Sequence, residues 1–254
     1  MNATAAFARK ELDEVTHTWR LWVLPGILLF FGITAPIMAA LLPRLAEYAA
    51  GEAPGTVIKV PAPTAIDAYV QFLGNLQQLG SLAAVIIGAG IVAAEVRNGT
   101  AALTLAKPLG RGPYVLIRAA THYALTVVAT LIGGAACVAV TAPLFGPGPL
   151  ARAVAAVGCW LLLVAFLIAV AVLLSTLLRS QMAAAVIAAA AVIAVGALAQ
   201  FGAVADWSPA GLWTASAALL TGRPTALLVP IVSTLTGTIV VLAGAVAVFR
   251  RREI

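Results

Sequence analysis

Charged residues are rare in this chain, and their densest internal group lies between residues 95 and 111. Only 9% of the 254 residues are Asp, Glu, Lys or Arg, yet this stretch combines charges of both signs with a Gly-Thr pair. Because this charged loop lies between two apolar segments that are each long enough to cross a bilayer, we expect something soluble to meet the membrane here. The residues concerned are Glu95, Arg97, Gly99, Thr100, Lys107, Pro108 and Arg111.

The same stretch carries the start and stop signals of a short helix. Residues 98–100 are of turn and N-cap types, and residues 101–106 suffice for about two helical turns. Pro108 disfavours the helical conformation at Lys107 and so ends the helix. We therefore predict a short capped helix between two long apolar segments.

Other kinds of chemistry have little support in the sequence. No phosphate-binding G-x-x-x-x-G-K-[ST] motif occurs, and there is no cluster of metal-ligand residues or nucleophile triad. His17 and His122 are the only histidines, and Cys137 and Cys159 lie inside apolar segments, so all four are interpreted as packed or interfacial residues. We predict no catalytic residue, no metal and no cofactor bound by this chain.

Composition places the chain in a membrane. A mean hydropathy of +1.07 and 63% hydrophobic residues exclude an ordinary soluble domain, because a globule of this size cannot bury so much apolar side chain. About 20 apolar residues cross a bilayer, and six segments reach that length. We predict an all-α polytopic fold, one domain over residues 1–254, with spans at 21–43, 72–94, 115–144, 150–177, 182–203 and 225–249.

Residues 7–22 have the pattern of an amphipathic helix. Apolar residues recur at spacings of 4, 3, 4 and 3, and charged residues cover the other side. The apolar stripe is Ala8, Leu12, Val15, Trp19 and Trp22. The pattern predicts a helix lying in the headgroup plane of the bilayer; a cytosolic helix packed on a partner is the alternative.

The distribution of basic residues predicts the topology. Six spans put both termini on one side, and 11 of the 15 lysines and arginines lie on that side against four on the other. The excess predicts that both termini and the 95–111 loop are cytoplasmic, in a multi-pass protein of the cell membrane. The net charge of +6 is explained by these span ends, so no nucleic-acid partner is expected.

Polar residues form a second pattern at the start of the second span. Thr64 and Asp67 have capping-box spacing and predict a short helix leading into that span. Further polar side chains recur at spacings of 4, 3 and 3, on one helical face, at Gln71, Asn75, Gln78 and Ser81. Lipid would leave these groups unsatisfied, so either interhelical hydrogen bonds or a substrate path should accommodate them.

The charged stretch also indicates a family. The sequence resembles the type-2 ATP-binding-cassette exporter permeases at Glu95, Arg97, Gly99-Thr100, Lys107-Pro108-Leu109, Arg111 and Arg118. In that family the segment is the coupling helix, which docks into a groove on a separate ATPase subunit. Two positions depart from the usual pattern: Gly110 stands where Ser or Thr is commoner, and Arg118 where Lys is.

The resemblance implies partners and a function. It implies a permease that pairs with a second copy or a sister permease, with two ATPase subunits docked beneath. ATP and Mg²⁺ would then be bound by those subunits, and the permease would export a substrate that the sequence does not identify. The seven residues from Glu95 to Arg111 named above would couple the ATPase to transport.

Two alternatives come from other functional classes. An ion-coupled secondary transporter normally needs a carboxylate or histidine inside the membrane, but no Asp or Glu occurs between Val96 and Ala205. His122 is the lone titratable candidate in the third span, which weighs against ion coupling. A non-transporting membrane scaffold or immunity protein remains open, because its chemistry would look the same.

Overall fold

The computed structural model describes residues 3–18, 20–51, 61–97, 109–178 and 180–252. Their regular structure is helical, with no strand among them. The elements are α1 (Ala3–Thr16), α2 (Arg20–Gly51), α3 (Ala65–Asn75), a π turn (Leu76–Gly80), α4 (Ser81–Arg97), α5 (Arg111–Phe145), α6 (Leu150–Leu177), α7 (Gln181–Leu198), α8 (Gly202–Ala205), α9 (Gly211–Thr221) and α10 (Leu228–Arg251).

Six helical stretches are long and apolar enough to cross a membrane. They are α2, the continuous run of α3, π turn and α4, and then α5, α6, α7 and α10. The predicted all-α fold with six spans is therefore confirmed. The second stretch begins at Ala65, and α7 ends at Leu198.

The start of α3 follows from its capping residues. The Thr64 backbone N–H donates to the Asp67 carboxylate over 2.8 Å, and the Thr64 hydroxyl donates to the same oxygen over 2.7 Å. Asp67 thus satisfies a backbone donor that the helix start leaves without an intrahelical partner. The predicted capping box is confirmed, and the helix continues into the second span.

The predicted helix over residues 7–22 is instead divided. α1 ends at Thr16 and α2 begins at Arg20. The His17 ring lies 2.8 Å from the Asp13 carbonyl oxygen, the acceptor that the His17 N–H would use in a continuing α-helix. That N–H bonds to Glu14 instead, over 3.2 Å, which tightens the last turn.

Close helix packing joins α2 to α5. An added Cβ at Gly133 of α5 would lie 2.5 Å from the Leu28 carbonyl oxygen of α2, and one at Gly32 of α2 would collide with Gly133. Glycine is therefore required at both positions for the two backbones to approach this closely. α6 packs against α4, α9 and α10 and lies at the centre of the remaining helices.

Both termini lie at the same end of the helical bundle. Glu11 of α1 contacts Arg118 of α5, and the Arg111 guanidinium donates to the carbonyl oxygens of Arg250 and Arg252, each over 2.8 Å. We call this end the terminal face, defined by α1, Glu95, residues 109–118 and residues 250–252. The other end of the bundle is the opposite face.

Candidate functional site

Only some of the predicted coupling residues belong to the part of the chain that the structure describes. Those residues lie at the terminal face. Glu95 lies near the end of α4, Arg97 is the last residue of that helix, and Arg111 is the first residue of α5. The other members of the set lie within residues 98–108, outside the described residues, together with the predicted coupling helix. These are Gly99, Thr100, Lys107 and Pro108.

A buried arginine joins the helices that flank this segment. One terminal nitrogen of Arg118 lies 2.7 Å from a Glu11 carboxylate oxygen and 2.5 Å from a Glu95 carboxylate oxygen. The other terminal nitrogen donates to the Ile91 carbonyl oxygen over 2.8 Å. Arg118 is only 2% exposed. We call Glu11, Glu95, Tyr114 and Arg118 the charge cluster.

Helical periodicity brings these groups together. Phe7 and Glu11 are four residues apart on α1, as are Ile91 and Glu95 on α4, and Tyr114 and Arg118 on α5. Residues four apart lie one turn above each other on the same face of a helix. Each of the three helices therefore presents a pair of residues to the same point, and Arg118 bridges all three.

Aromatic rings pack around the charged groups. The Tyr114 hydroxyl donates to Glu95 over 2.8 Å, and the Tyr114 ring is stacked between Phe7 and Phe249, with centroid separations of 5.5 and 5.3 Å. The Arg118 guanidinium carbon lies 4.8 Å from the Tyr114 ring centroid. Phe249 brings α10 into contact with the cluster, and the rings exclude water from its ion pairs.

Burial sets the electrostatic balance of the cluster. Burial raises the pKa of the Glu11 carboxyl, and the nearby Arg118 guanidinium opposes that rise. The buried Glu11 carboxylate and the partly buried Glu95 carboxylate share one buried guanidinium, so removing that cation would leave both acids uncompensated. The cluster consequently depends more on Arg118 than on either acid.

The end of the chain is tied to the same face. Arg111 donates to the Arg250 carbonyl in the last turn of α10 and to the Arg252 carbonyl just after it, while Arg252 donates to the Thr176 carbonyl over 2.8 Å at the end of α6. The last carbonyls of a helix have no intrahelical partner, so an arginine is a favourable donor there. Together with the charge cluster, these bonds connect α1, α4, α5, α6 and α10.

The described residues hold no group of three or more histidine, cysteine or acidic side chains that could bind a metal. His122 is 3% exposed, and its Nε2 lies 2.8 Å from the Ala84 carbonyl oxygen of α4. Its position is that of a packed residue, and the sequence of its span contains no carboxylate.

The polar pattern of the second span is interrupted by the π turn. Gln71 and Gln78 are exposed on the surface of the chain, and Asn75 is half-buried. Ser81 departs from the predicted common face, because the π turn adds one residue to the helical register and rotates the α4 residues after it. The Ser81 hydroxyl is buried and accepts a hydrogen bond from the Trp160 indole over 3.1 Å.

Gln77, rather than its neighbour Gln78, forms the interhelical polar contact. Its side-chain amide donates to the Trp213 carbonyl and to the Ser216 hydroxyl of α9, each over 2.8 Å. The π turn brings Gln77 inward. Sequence periodicity did not identify this residue, because the extra residue of the π turn leaves no signal in the spacing.

Glu11 and Tyr114 were also missed as members of the site. The sequence pattern assigned Glu11 to neither side of the helix, yet Glu11 is 6% exposed, while Leu12 of the predicted apolar stripe is 54% exposed. One signal was available: Phe7 and Glu11 are one turn apart, so a large aromatic residue shares the face of the acid.

Comparison with known proteins gives one family and one relative. The family model described as "ABC-2 family transporter protein" matches residues 5–212. A Bacillus subtilis (strain 168) protein with the name "Uncharacterized transmembrane protein YxlG" is 24% identical over 185 residues. That alignment covers 73% of this chain and 72% of the relative.

The geometry of the charge cluster predicts the order of three substitutions. Arg118→Gln should lower the free energy of unfolding by about 3–5 kcal/mol, since it leaves the buried Glu11 and the partly buried Glu95 carboxylates without their cation. Glu11→Gln should lower the free energy of unfolding by less than Arg118→Gln does, because burial already disfavours the charged form of the Glu11 carboxyl. Lys10→Gln removes an exposed pair with Glu14 at 3.1 Å and a longer contact with Glu11 at 4.0 Å, so it should change the free energy of unfolding by about 1 kcal/mol or less.

Denaturant unfolding of the purified variants in one detergent measures these differences. Trypsin offers a second readout, since Arg9 and Lys10 on α1 should be cleaved faster once Arg118→Gln releases that helix. Equal effects of Arg118→Gln and Lys10→Gln would show that the cluster does not hold α1 in place.

Proposed function

Since the chain belongs to the ABC-2 family of transporter proteins, we propose that it is the membrane permease of an ATP-driven exporter. Members of this family are the membrane components of transporters and are not themselves catalytic. ATP would be hydrolysed, with Mg²⁺, in separate ATPase subunits that dock at the terminal face. The export direction and the ATPase partner are parts of the proposal.

The charge cluster is the observation that supports this role best. Glu95 and Arg118 lie on opposite sides of residues 98–108, and their contact ties the end of α4 to the start of α5. Glu11 adds α1 to the same contact. A push on the segment between the two helices would therefore move three helices together instead of bending one span.

The sequence of that segment suits a docking surface. In this proposal Gly99 and Thr100 are residue types suited to a turn and a helix N-cap, and Lys107 and Arg111 would offer positive charge to acidic residues of an ATPase. In this proposal the Arg111 side chain also positions the end of α10, because it donates to two carbonyl oxygens there.

Orientation follows from the positive-inside asymmetry. We place the terminal face in the cytoplasm, because most basic residues of the chain lie at that end. ATP is available to a partner only on that side. The absence of acidic residues between Val96 and Ala205 and the packed position of His122 disfavour ion coupling.

A second permease copy, or a sister permease, is proposed to face the second span. Gln71 and Gln78 are exposed on the surface of the single chain and belong to a helical run that is long and apolar enough to cross a membrane, whose hydrocarbon offers no hydrogen bonds. A partner permease would either bond these amides or enclose a wet cavity with them. We propose that Gln71, Asn75 and Gln78 line the substrate path between the two permeases, with Ser81 buried behind them.

The proposal predicts the composition and activity of the native complex. Affinity purification of the tagged chain from membranes should recover a separate ATPase subunit and ATP hydrolysis. The chain purified alone should hydrolyse no ATP. Turnover by the chain alone, or a native complex that contains no ATPase, would contradict the permease role; the second result would favour a non-transporting scaffold.

The coupling segment is tested within the same complex. Gly99→Val with Thr100→Ala keeps every charge, so membrane insertion should be normal while the ATPase binds about fivefold more weakly for each helix cap lost. Gly26→Val with Thr34→Ala on α2 is the control, since an added Cβ at Gly26 meets no atom within 4 Å. Full ATPase retention by the first variant would exclude this segment as the coupling element.

The substrate path is tested by cysteine labelling. In a background with Cys137→Ala and Cys159→Ala, Gln78→Cys should react with a water-soluble maleimide in at least one nucleotide state of the complex. Leu79→Cys is the matched control, because Leu79 is 50% exposed on the single chain and should face lipid. Protection of Gln78→Cys in every state would assign Gln78 to a dry helix contact.

A further inference from the structure

An apolar groove lies in the half of the bundle that is remote from the charge cluster. Its volume is about 610 Å³, within the range of small-molecule sites. Side chains of α3, α5 and α6 form its walls, and α9 contributes one residue. The lining includes Phe72, Leu131, Val154, Val157, Leu161 and Leu220.

The groove opens sideways, toward the surroundings of the bundle. Leu131 on α5 and Val154 on α6 line it and are 64% and 63% exposed. Both belong to helices that cross the membrane, so the opening faces hydrocarbon. An apolar groove at this depth favours an acyl chain over water, because water finds too few polar partners there.

The length of the groove matches one leaflet. Its lining on α6 runs from Leu150 to Leu161, which is about 16 Å at the helical rise of about 1.5 Å per residue. This is roughly half of the hydrocarbon thickness of about 30 Å. Leu150 is the first residue of α6, so the groove extends inward from the opposite face.

A positive charge lies where a lipid headgroup would sit. Arg152 is exposed, precedes the lining residue Ala153 and lies one turn above the lining residue Ala156. Its guanidinium packs beside Gly222, since an added Cβ there would lie 2.5 Å from Arg152 Nη1. Arg223 follows immediately and is exposed as well. Among the described residues neither arginine pairs with a carboxylate.

We propose that this groove is a binding site for an anionic phospholipid of the leaflet at the opposite face. One acyl chain lies between α5 and α6 and reaches Leu161. The phosphate contacts Arg152 and Arg223, which recognise it by charge and hydrogen bonding. The lipid stabilises the outer halves of α3, α5 and α6, which meet at the groove.

Two glycines make this site testable. An added Cβ at Gly134 or at Gly158 meets no atom within 4 Å, and both residues line the groove. Gly134→Leu and Gly158→Leu therefore fill the groove from opposite walls without a backbone clash. Gly26→Leu is the matched control, because Gly26 on α2 has equal space and lies outside the lining.

Native mass spectrometry of the full chain, titrated with phosphatidylglycerol or phosphatidylcholine, measures the affinity of the site. Each groove-filling variant should bind phosphatidylglycerol about tenfold more weakly or worse, while Gly26→Leu should match the unsubstituted chain. Arg152→Gln should weaken phosphatidylglycerol binding by about fivefold and leave phosphatidylcholine unchanged. Arg44→Gln, an exposed arginine near the end of α2, is its control.

A measurement on the unsubstituted chain avoids any effect of the variants on folding. Phosphatidylglycerol with a photoreactive group at the end of its acyl chain should cross-link to peptides covering residues 130–161. Cross-links confined to other helices, or a groove covered by a second copy so that no lipid reacts, would overturn the proposal. Equal affinity for phosphatidylglycerol and phosphatidylcholine in the native-mass titration would also overturn the proposal, because the charge of Arg152 would then not favour the anionic lipid.

Discussion

Arg118 carries a full positive charge into a position that is only 2% exposed, and the architecture of the terminal face satisfies that charge. A buried cation is tolerated only when charged and polar groups surround it. Here two carboxylates and a backbone carbonyl, contributed by α1 and α4, supply them. This contact therefore holds α1 against the bundle. A helix as short and as mixed in composition as α1 would not be stable without such a tertiary contact. The stack of Phe7, Tyr114 and Phe249 then keeps water from the ion pairs and brings in α10.

This arrangement explains how a small loop could control a large membrane domain. The ends of α4 and α5 are joined by Glu95 and Arg118, so neither helix can shift at the terminal face without breaking a buried ion pair. Breaking such a pair is costly, so we expect the connected helices to move as one body. The groove at the opposite face lies between helices α3, α5 and α6, where packing is looser and no charge ties the walls together. The molecule thus combines a stiff end with an end that lipid can fill.

Sequence alone predicted the class of fold well, because hydropathy and the need to satisfy backbone groups in lipid leave few alternatives to long apolar helices. A family resemblance also singled out Glu95 and Arg118, which the structure joins in an ion pair. It did not find Glu11, because the nine acidic residues of the chain look alike in sequence and only the tertiary contact selects one. Gln77 was missed, and Ser81 was placed on the wrong helical face, because a π turn shifts the register by one residue without altering hydrophobic periodicity. The helix break at His17 was not predicted either, because it depends on the His17 ring competing with the backbone N–H for the Asp13 carbonyl oxygen.

The charge cluster should make α1, α4 and α5 a single rigid unit, and a distance between two of these helices tests this most directly. Spin labels on Arg9→Cys of α1 and Ala120→Cys of α5, in a chain with Cys137→Ala and Cys159→Ala, report the separation of the two helices by pulsed electron resonance. In the native complex the distance distribution should remain narrow and unchanged between nucleotide-free and ATP-trapped states, and it should broaden when Arg118→Gln is added. A shift between nucleotide states in the chain that retains Arg118 would contradict the claim, because α1 and α5 would then move independently despite an intact cluster.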